Sequence, residues 1–161
     1  MSRRWVLNSS PVILLAKISG LDLLSRLTSH LVIPSGVAEE IADGPDGDPS
    51  KAWLAGAGAP LVVEVQEVDP LVASWDLGLG ESQVLTWAHS RRGFEAILDD
   101  GAARKCADSL RVPVRGTLGV IMLAKREGLV PKARPLVEQL LEVGYRIDTR
   151  VIQTAMSLTG E

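Results

Sequence analysis

The sequence predicts an α/β fold, a three-layer α/β/α sandwich on a mostly parallel central sheet. Three observations carry that reading. Short apolar runs that suit strands alternate with longer segments of helical periodicity. The 161 residues are 46% hydrophobic, enough for a compact unit burying roughly 70% of its unfolded surface without a staple. No internal repeat or low-complexity tract interrupts the alternation, so one domain over residues 1–161 is expected.

Trp5-Val6-Leu7 reads as the first strand. Ser9 or Ser10 then caps a helix with Pro11 in its first turn, where the missing N–H costs nothing. Leu14, Leu15 and Ile18 give that helix an apolar stripe, and Gly20 ends it. Leu21 to Leu27 is a second short helix. Leu31-Val32-Ile33 is a buried-type strand, and Pro34-Ser35 opens a helix to about Ala42. Asp43 to Pro49 is dense in turn residues and reads as a surface loop. A short helix around Trp53 leads to a strand over Leu61 to Val65. Gly78 to Gly80 precede a helix from Glu81 to Arg91, followed by a strand over Glu95 to Leu98 and a helix over Gly101 to Leu110. Pro113-Val114 is a brief strand, Thr117 to Arg126 a helix, and Pro131 starts another to about Val143. Tyr145 to Ile147 is expected as an edge strand, with a last helix from Thr149.

Composition excludes several classes. The apolar fraction and modest charge exclude disorder, and the single Cys106 excludes a disulfide scaffold and suits a reducing compartment. Apolar runs such as Pro11 to Ala16 fall far short of the ~18 residues a membrane span needs. Arg3 and Arg4 resemble the start of a secretory leader, but only Trp5-Val6-Leu7 follows before polar Asn8-Ser9-Ser10. A cytoplasmic protein is therefore expected. The net charge of −3 and pI of 5.4 argue against coating duplex DNA by bulk charge, though not against a nuclease with an acidic site.

In parallel α/β sheets the functional crevice lies beyond the carboxyl ends of the strands. Asn8-Ser9-Ser10 and Asp99-Asp100 both fall there. Asp100 has a second reading as a cap for the helix at Gly101, with Arg104 four residues on as its partner. At 100° per residue, Glu40 lies about 80° from the direction shared by Val37 and Ile41, and Glu39 almost opposite them. Glu40 thus belongs at the rim of the buried face and Glu39 in water. Glu81 sits in a helix's first turn, where any acid is favoured by the helix dipole.

These residues sit inside an ordered set of motifs. The set comprises Val6-Leu7-Asn8-Ser9-Ser10-Pro11, Leu14-Leu15-Ala16-Lys17-Ile18, Ile33-Pro34 with Val37-Ala38-Glu39-Glu40, and Gly80-Glu81. Leu98-Asp99-Asp100-Gly101-Ala102-Ala103-Arg104 and Gly116-Thr117-Leu118-Gly119-Val120 complete it, with Ala124 to Leu129 following. The set resembles the PIN-domain family, in a prokaryotic branch related to VapC-type toxins, from Trp5 to about Leu158. The resemblance implies a PIN-like fold and a metal-dependent ribonuclease of the toxin–antitoxin kind. It implies Mg²⁺ or Mn²⁺ as cofactor, RNA as substrate, a cognate antitoxin as partner and a homodimer. By the same resemblance the catalytic and metal-binding set is Asn8, Glu40, Glu81, Asp99 and Asp100, supported by Ser10 and Thr117. Hard cations take oxygen ligands, which is why acids gather at such sites.

The first position departs from the family's pattern, because Asn8 stands where it has an acid. An amide oxygen can ligate a hard cation but brings no negative charge and is a poor base. Two readings follow: an active endoribonuclease, or a weakened PIN-like domain that binds RNA or protein without cutting. A third, independent of the resemblance, is an unrelated α/β binding domain whose acids are caps and solvated charges. Among the remaining residues, His30 and His89 read as ordinary partly buried histidines, and Cys106 as core beside Ala102, Ala103 and Leu110. The four Trp residues are scattered and read as packing rather than a stacking platform. The helix start at Gly116-Thr117 reads equally as a phosphate site and as a simple cap. Arg91-Arg92, Arg104-Lys105 and Lys125-Arg126 read as solvated faces, with Arg104 and Lys105 the candidates for RNA-phosphate contacts.

Overall fold

In the computed structural model, which describes residues 2–161, strand β1 (Arg4–Leu7) leads into helices α1 (Ser9–Lys17) and α2 (Asp22–Leu27). Strand β2 (His30–Pro34) leads into α3 (Ser35–Ala42) and α4 (Pro49–Ala55). A 3-10 turn at Ala59–Leu61 precedes β3 (Val62–Val63), and α5 (Pro70–Ala73) and α6 (Leu79–Ser90) follow. Then come β4 (Phe94–Ile97), α7 (Gly101–Ser109), β5 (Val114–Arg115), α8 (Thr117–Arg126), α9 (Arg134–Glu142) and α10 (Thr149–Leu158).

The strands lie in the order β3-β2-β1-β4-β5, and every pairing is parallel. Trp5, Val6 and Leu7 alternate between the two faces of the sheet, yet all three are fully buried. Both faces are therefore covered, which is the three-layer arrangement a parallel sheet requires. The chain runs outward from β1 through β2 to β3, then returns to the other side of β1 as β4. Such a reversal opens a crevice beyond the carboxyl ends of the two strands that flank it. Asn8 directly follows β1, and Asp99-Asp100 follow β4 by one residue.

Local differences from the sequence reading have physical causes. The strand expected over Leu61 to Val65 shrinks to Val62–Val63, which pair with Ile33 and Pro34. Pro34 has no N–H and Ser35 already begins α3, so no ladder partner exists beyond Val63. Tyr145 to Ile147 is not an edge strand. Gly144, at φ +100°, reverses the chain after α9, and the Tyr145 N–H donates to the Leu140 carbonyl at 2.9 Å. The helix expected from Pro131 starts at Arg134 instead. There the Ala133 and Arg134 N–H groups donate to the Glu161 carboxylate at 2.8 and 3.0 Å. Helix α5 was not expected, although Asp69-Pro70 carries its signal: Asp69 accepts from the Leu71 N–H at 2.9 Å and Pro70 fills the first position. On α7 the buried face is Ala103, Cys106 and Ala107, while Ala102 is exposed. Cys106 is a core thiol, pushed up in pKa by burial. Leu14, expected in the buried stripe of α1, is only half-buried and faces the crevice.

Candidate active site

The crevice beyond β1 and β4 is an open cavity of about 510 Å³, lined among others by Asn8, Ser9, Ser10, Glu81, Asp99 and Asp100. Asn8 forms its floor. Its backbone N–H donates to the Ile97 carbonyl at 3.0 Å, which ties the end of β1 to the end of β4. The residue is 4% exposed, and its Oδ1 is buried without a hydrogen-bond partner among the described residues. A buried carbonyl oxygen left unpaired is costly unless something else meets it. Asn8 is also the N-cap residue of α1, yet its side chain makes no capping bond.

The serines expected to cap α1 bind acids instead. Ser9 Oγ donates to Glu40 Oε2 at 2.8 Å and Ser10 Oγ to Asp99 Oδ2 at 3.1 Å. Glu40 is further held by the Gly80 N–H, which donates to Oε1 at 3.0 Å. That contact is possible only because residue 80 is glycine. A Cβ there would lie 2.5 Å from Glu40 Oε1 and 2.8 Å from the carboxyl carbon. Gly80→Ala is expected to destabilise the protein by about 0.5–1 kcal/mol, through loss of these charge-assisted bonds. In a Glu40→Ala background the clash is gone and the same change stabilises, since alanine is favoured over glycine in helices by up to about 1 kcal/mol. Urea denaturation of the four proteins measures that reversal of sign, and additive effects would show that the contact does not govern Glu40.

Glu81 is half-buried on the crevice wall, and its pKa is raised by burial, then by the charges of Asp100 and Glu40. A folded-state pKa above the unfolded value means that the folded chain favours the protonated acid. The metal-free protein therefore loses stability as pH rises from the ordinary glutamate range through the raised value. Glu81→Gln removes that loss. The variant is expected to melt above the parent at neutral pH in chelator, with the difference vanishing below about pH 4. A pH-independent difference between the two melting curves would contradict it.

Adjacent Asp99 and Asp100 have different surroundings. Asp99 Oδ1 accepts from the Thr117 N–H at 2.8 Å and the Tyr145 hydroxyl at 3.3 Å, while Oδ2 accepts from Thr117 Oγ at 2.7 Å and from Ser10. Its lone pairs are thus occupied by donors from α1, the start of α8 and the α9–α10 connection. Asp100 caps α7 through Oδ2, which accepts from the Ala103 N–H at 2.9 Å. Its Oδ1 accepts no hydrogen bond among the described residues, and the residue is exposed. The capping reading of Asp100 and a free ligand oxygen are therefore compatible. Thr117 serves Asp99 with both N–H and hydroxyl, so its own N–H is not free for a phosphate.

The crevice brings together Asn8, Ser10, Glu81, Asp99 and Asp100, with Glu40 joined to it through Ser9 and Gly80. Among the described residues, no three His, Cys, Asp or Glu side chains are gathered closely enough to hold one ion. The donors nonetheless suit a hard divalent cation, because Asn8, Glu81, Asp99 and Asp100 bring oxygen ligands to one crevice and Asn8 Oδ1 lacks a partner. Arg104 and Lys105 do not line the crevice. Arg104 Nη1 folds back onto the Leu98 carbonyl at 3.4 Å, and Lys105 is exposed elsewhere on α7. His30 is exposed on β2 beside Phe94, and His89 Nδ1 lies 3.0 Å from Asp69 Oδ2, so both histidines stand apart from the crevice. Three contributors escape the sequence reading: Ser9 as holder of Glu40, Tyr145 as donor to Asp99, and Arg146 on the crevice wall.

An all-parallel sheet with a switch-point crevice walled by acids makes this an α/β domain with a candidate ligand site at the carboxyl ends of its strands. The profile of a PIN-domain family matches residues 4–161, and the chain belongs to that family. PIN domains generally act on nucleic acid with divalent metal ions. No curated protein matches the sequence. Among the described residues no helix is long and apolar enough to cross a membrane.

Proposed function

We propose that this chain is a metal-dependent endoribonuclease, the cytoplasmic toxin of a toxin–antitoxin pair. The observation that supports it most is the unpartnered Oδ1 of Asn8, a buried residue that lines one crevice together with Glu81, Asp99 and Asp100. Asn8 Oδ1, Glu81 and Asp100 are the groups that would hold Mg²⁺ or Mn²⁺, with Glu40 beside them. When bound, the ion would lower the pKa of a water and stabilise charge on the attacked phosphate. Asp99 acts through others, fixing Thr117, Ser10 and Tyr145 around the crevice. Glu40, held at both carboxylate oxygens, is positioned at low entropic cost. Glu81, half-buried with the charges of Asp100 and Glu40 acting on it, is suited to hold the ion, whose charge would relieve the repulsion among the three acids.

A second reading, RNA or protein binding without cleavage, is favoured by one observation: position 8 supplies an amide in place of a carboxylate. Incubation with a mixed RNA pool and Mn²⁺, against a chelated control, separates the two. Chelator-sensitive fragments support the nuclease, whereas retained but intact RNA supports the binding domain. The exposed Leu71, Trp75 and Leu79 are the apolar groups suited to a partner chain. A homodimer and an antitoxin that covers the crevice complete the proposal, and light scattering at micromolar concentration tests the dimer.

A further inference from the structure

A crevice walled by carboxylates repels phosphate, and beyond the ion that would meet the attacked group, a fixed cation on the wall would help to seat the rest of the strand. The groups that the sequence offers for that task are engaged or elsewhere. The Thr117 N–H donates to Asp99, Arg104 to the Leu98 carbonyl, and Lys105 lies outside the cavity. Among the described residues that line the crevice, one is a cation: Arg146. It is exposed and makes no ion pair among the described residues.

The backbone that carries it is fixed. Gly144 turns the chain at φ +100°, the Tyr145 N–H closes the end of α9 on Leu140 at 2.9 Å, and the Tyr145 hydroxyl reaches Asp99 Oδ1 at 3.3 Å. Residue 145 is thus tied by backbone to one helix and by side chain to the crevice acid, and residue 146 is presented from a pinned neighbour. Guanidinium also matches a phosphate in planar, two-pronged fashion, which an ammonium does not.

We propose that Arg146 binds an RNA phosphate at the mouth of the crevice, with Tyr145 as its positioning residue. The inference rests on the ribonuclease reading for the identity of the ligand, and on the crevice geometry for the residue.

The test is fluorescence anisotropy of a labelled single-stranded oligoribonucleotide at several salt concentrations, in chelator and in Mn²⁺, with calorimetric Mn²⁺ titration of each protein. Arg146→Ala is expected to weaken RNA binding about tenfold at low salt. It is also expected to flatten the slope of log affinity against log salt by about 0.7, the loss of one single-strand phosphate contact. Arg146→Lys should keep the slope and recover part of the affinity, and Tyr145→Phe should weaken binding with the slope intact. Mn²⁺ affinity should not weaken for Arg146→Ala, since a positive charge is removed from the crevice, and Lys132→Ala, an exposed cation outside the crevice, should behave as the parent. An Arg146→Ala protein with the parent's slope, while the parent binds and cuts RNA, overturns the role of Arg146 and leaves the nuclease reading standing. A parent that neither binds nor cuts RNA overturns both.

Discussion

Asp99→Ala is expected to destabilise the protein by about 3 kcal/mol, more than any other single change in the crevice. The carboxylate accepts four hydrogen bonds, from Ser10, from Thr117 twice and from Tyr145. Bonds to a charged acceptor contribute roughly 1.5–3 kcal/mol each when buried, and half-burial of Asp99 lets water replace some of them. Thr117 cannot be rescued in that way, because it is fully buried and its N–H and hydroxyl both lose their partner. Three elements would come loose together: the start of α1, the start of α8 and the connection after α9. Asp99→Asn should cost less, about 2 kcal/mol, since one acceptor oxygen remains while the new amide N–H₂ faces donors. Urea denaturation in chelator gives the stabilities. Tyr145 supplies a second readout, because it is the single tyrosine and its hydroxyl is held well above the ordinary range by burial and by Asp99. Ultraviolet titration of Asp99→Ala should show that hydroxyl ionising at lower pH than in the parent. A variant as stable as the parent but with weakened metal binding would identify Asp99 as a ligand rather than the hub described above.

What was legible in the sequence was whatever local spacing determines. Alternating elements gave the parallel sheet; helical phase put Glu40 at a rim and Glu39 in water, and although both are exposed, Glu40 is the one that reaches Ser9 and Gly80. Strand-end position was enough to bring Asn8 and Asp99-Asp100 to one crevice once β4 lay beside β1. The division between Asp99 and Asp100 was not legible, because it depends on donors that arrive from residues 10, 117 and 145. Tyr145 and Arg146 read as edge strand for the same reason: their destination is set by a hydroxyl bond across the fold, not by their neighbours. The serines of α1 carry a capping signal, but the helix begins at Ser9 with Asn8 at the cap position, and both serine hydroxyls go to acids instead. Helix α9 begins late because its free N–H groups are met by Glu161, a partner that no local pattern announces.

Asn8→Asp is expected to tighten Mn²⁺ or Mg²⁺ binding at least tenfold and to raise RNA cleavage. The change adds a negative charge at a buried residue that lines the crevice and whose Oδ1 has no partner among the described residues. At an effective dielectric of about 20, a unit charge and a divalent ion about 4 Å apart attract by roughly 8 kcal/mol, most of it offset by desolvation. A residual of about 1.4 kcal/mol is tenfold in affinity. The same carboxylate can orient an attacking water or accept its proton, which an amide cannot. Without metal the sign reverses. The new acid is buried beside Glu81, whose proton affinity burial and the charges of Asp100 and Glu40 already raise, so repulsion and desolvation lower the stability of the chelated protein. The signature is therefore a crossover: below the parent in chelator, above it in saturating Mn²⁺, because binding to the folded state alone adds stability that grows with affinity. Calorimetric titration and thermal denaturation with and without Mn²⁺ measure both halves, and cleavage of a mixed RNA pool measures the third effect. If affinity, melting and cleavage are all unchanged, position 8 does not face the ion, and binding without cleavage becomes the better account of the crevice.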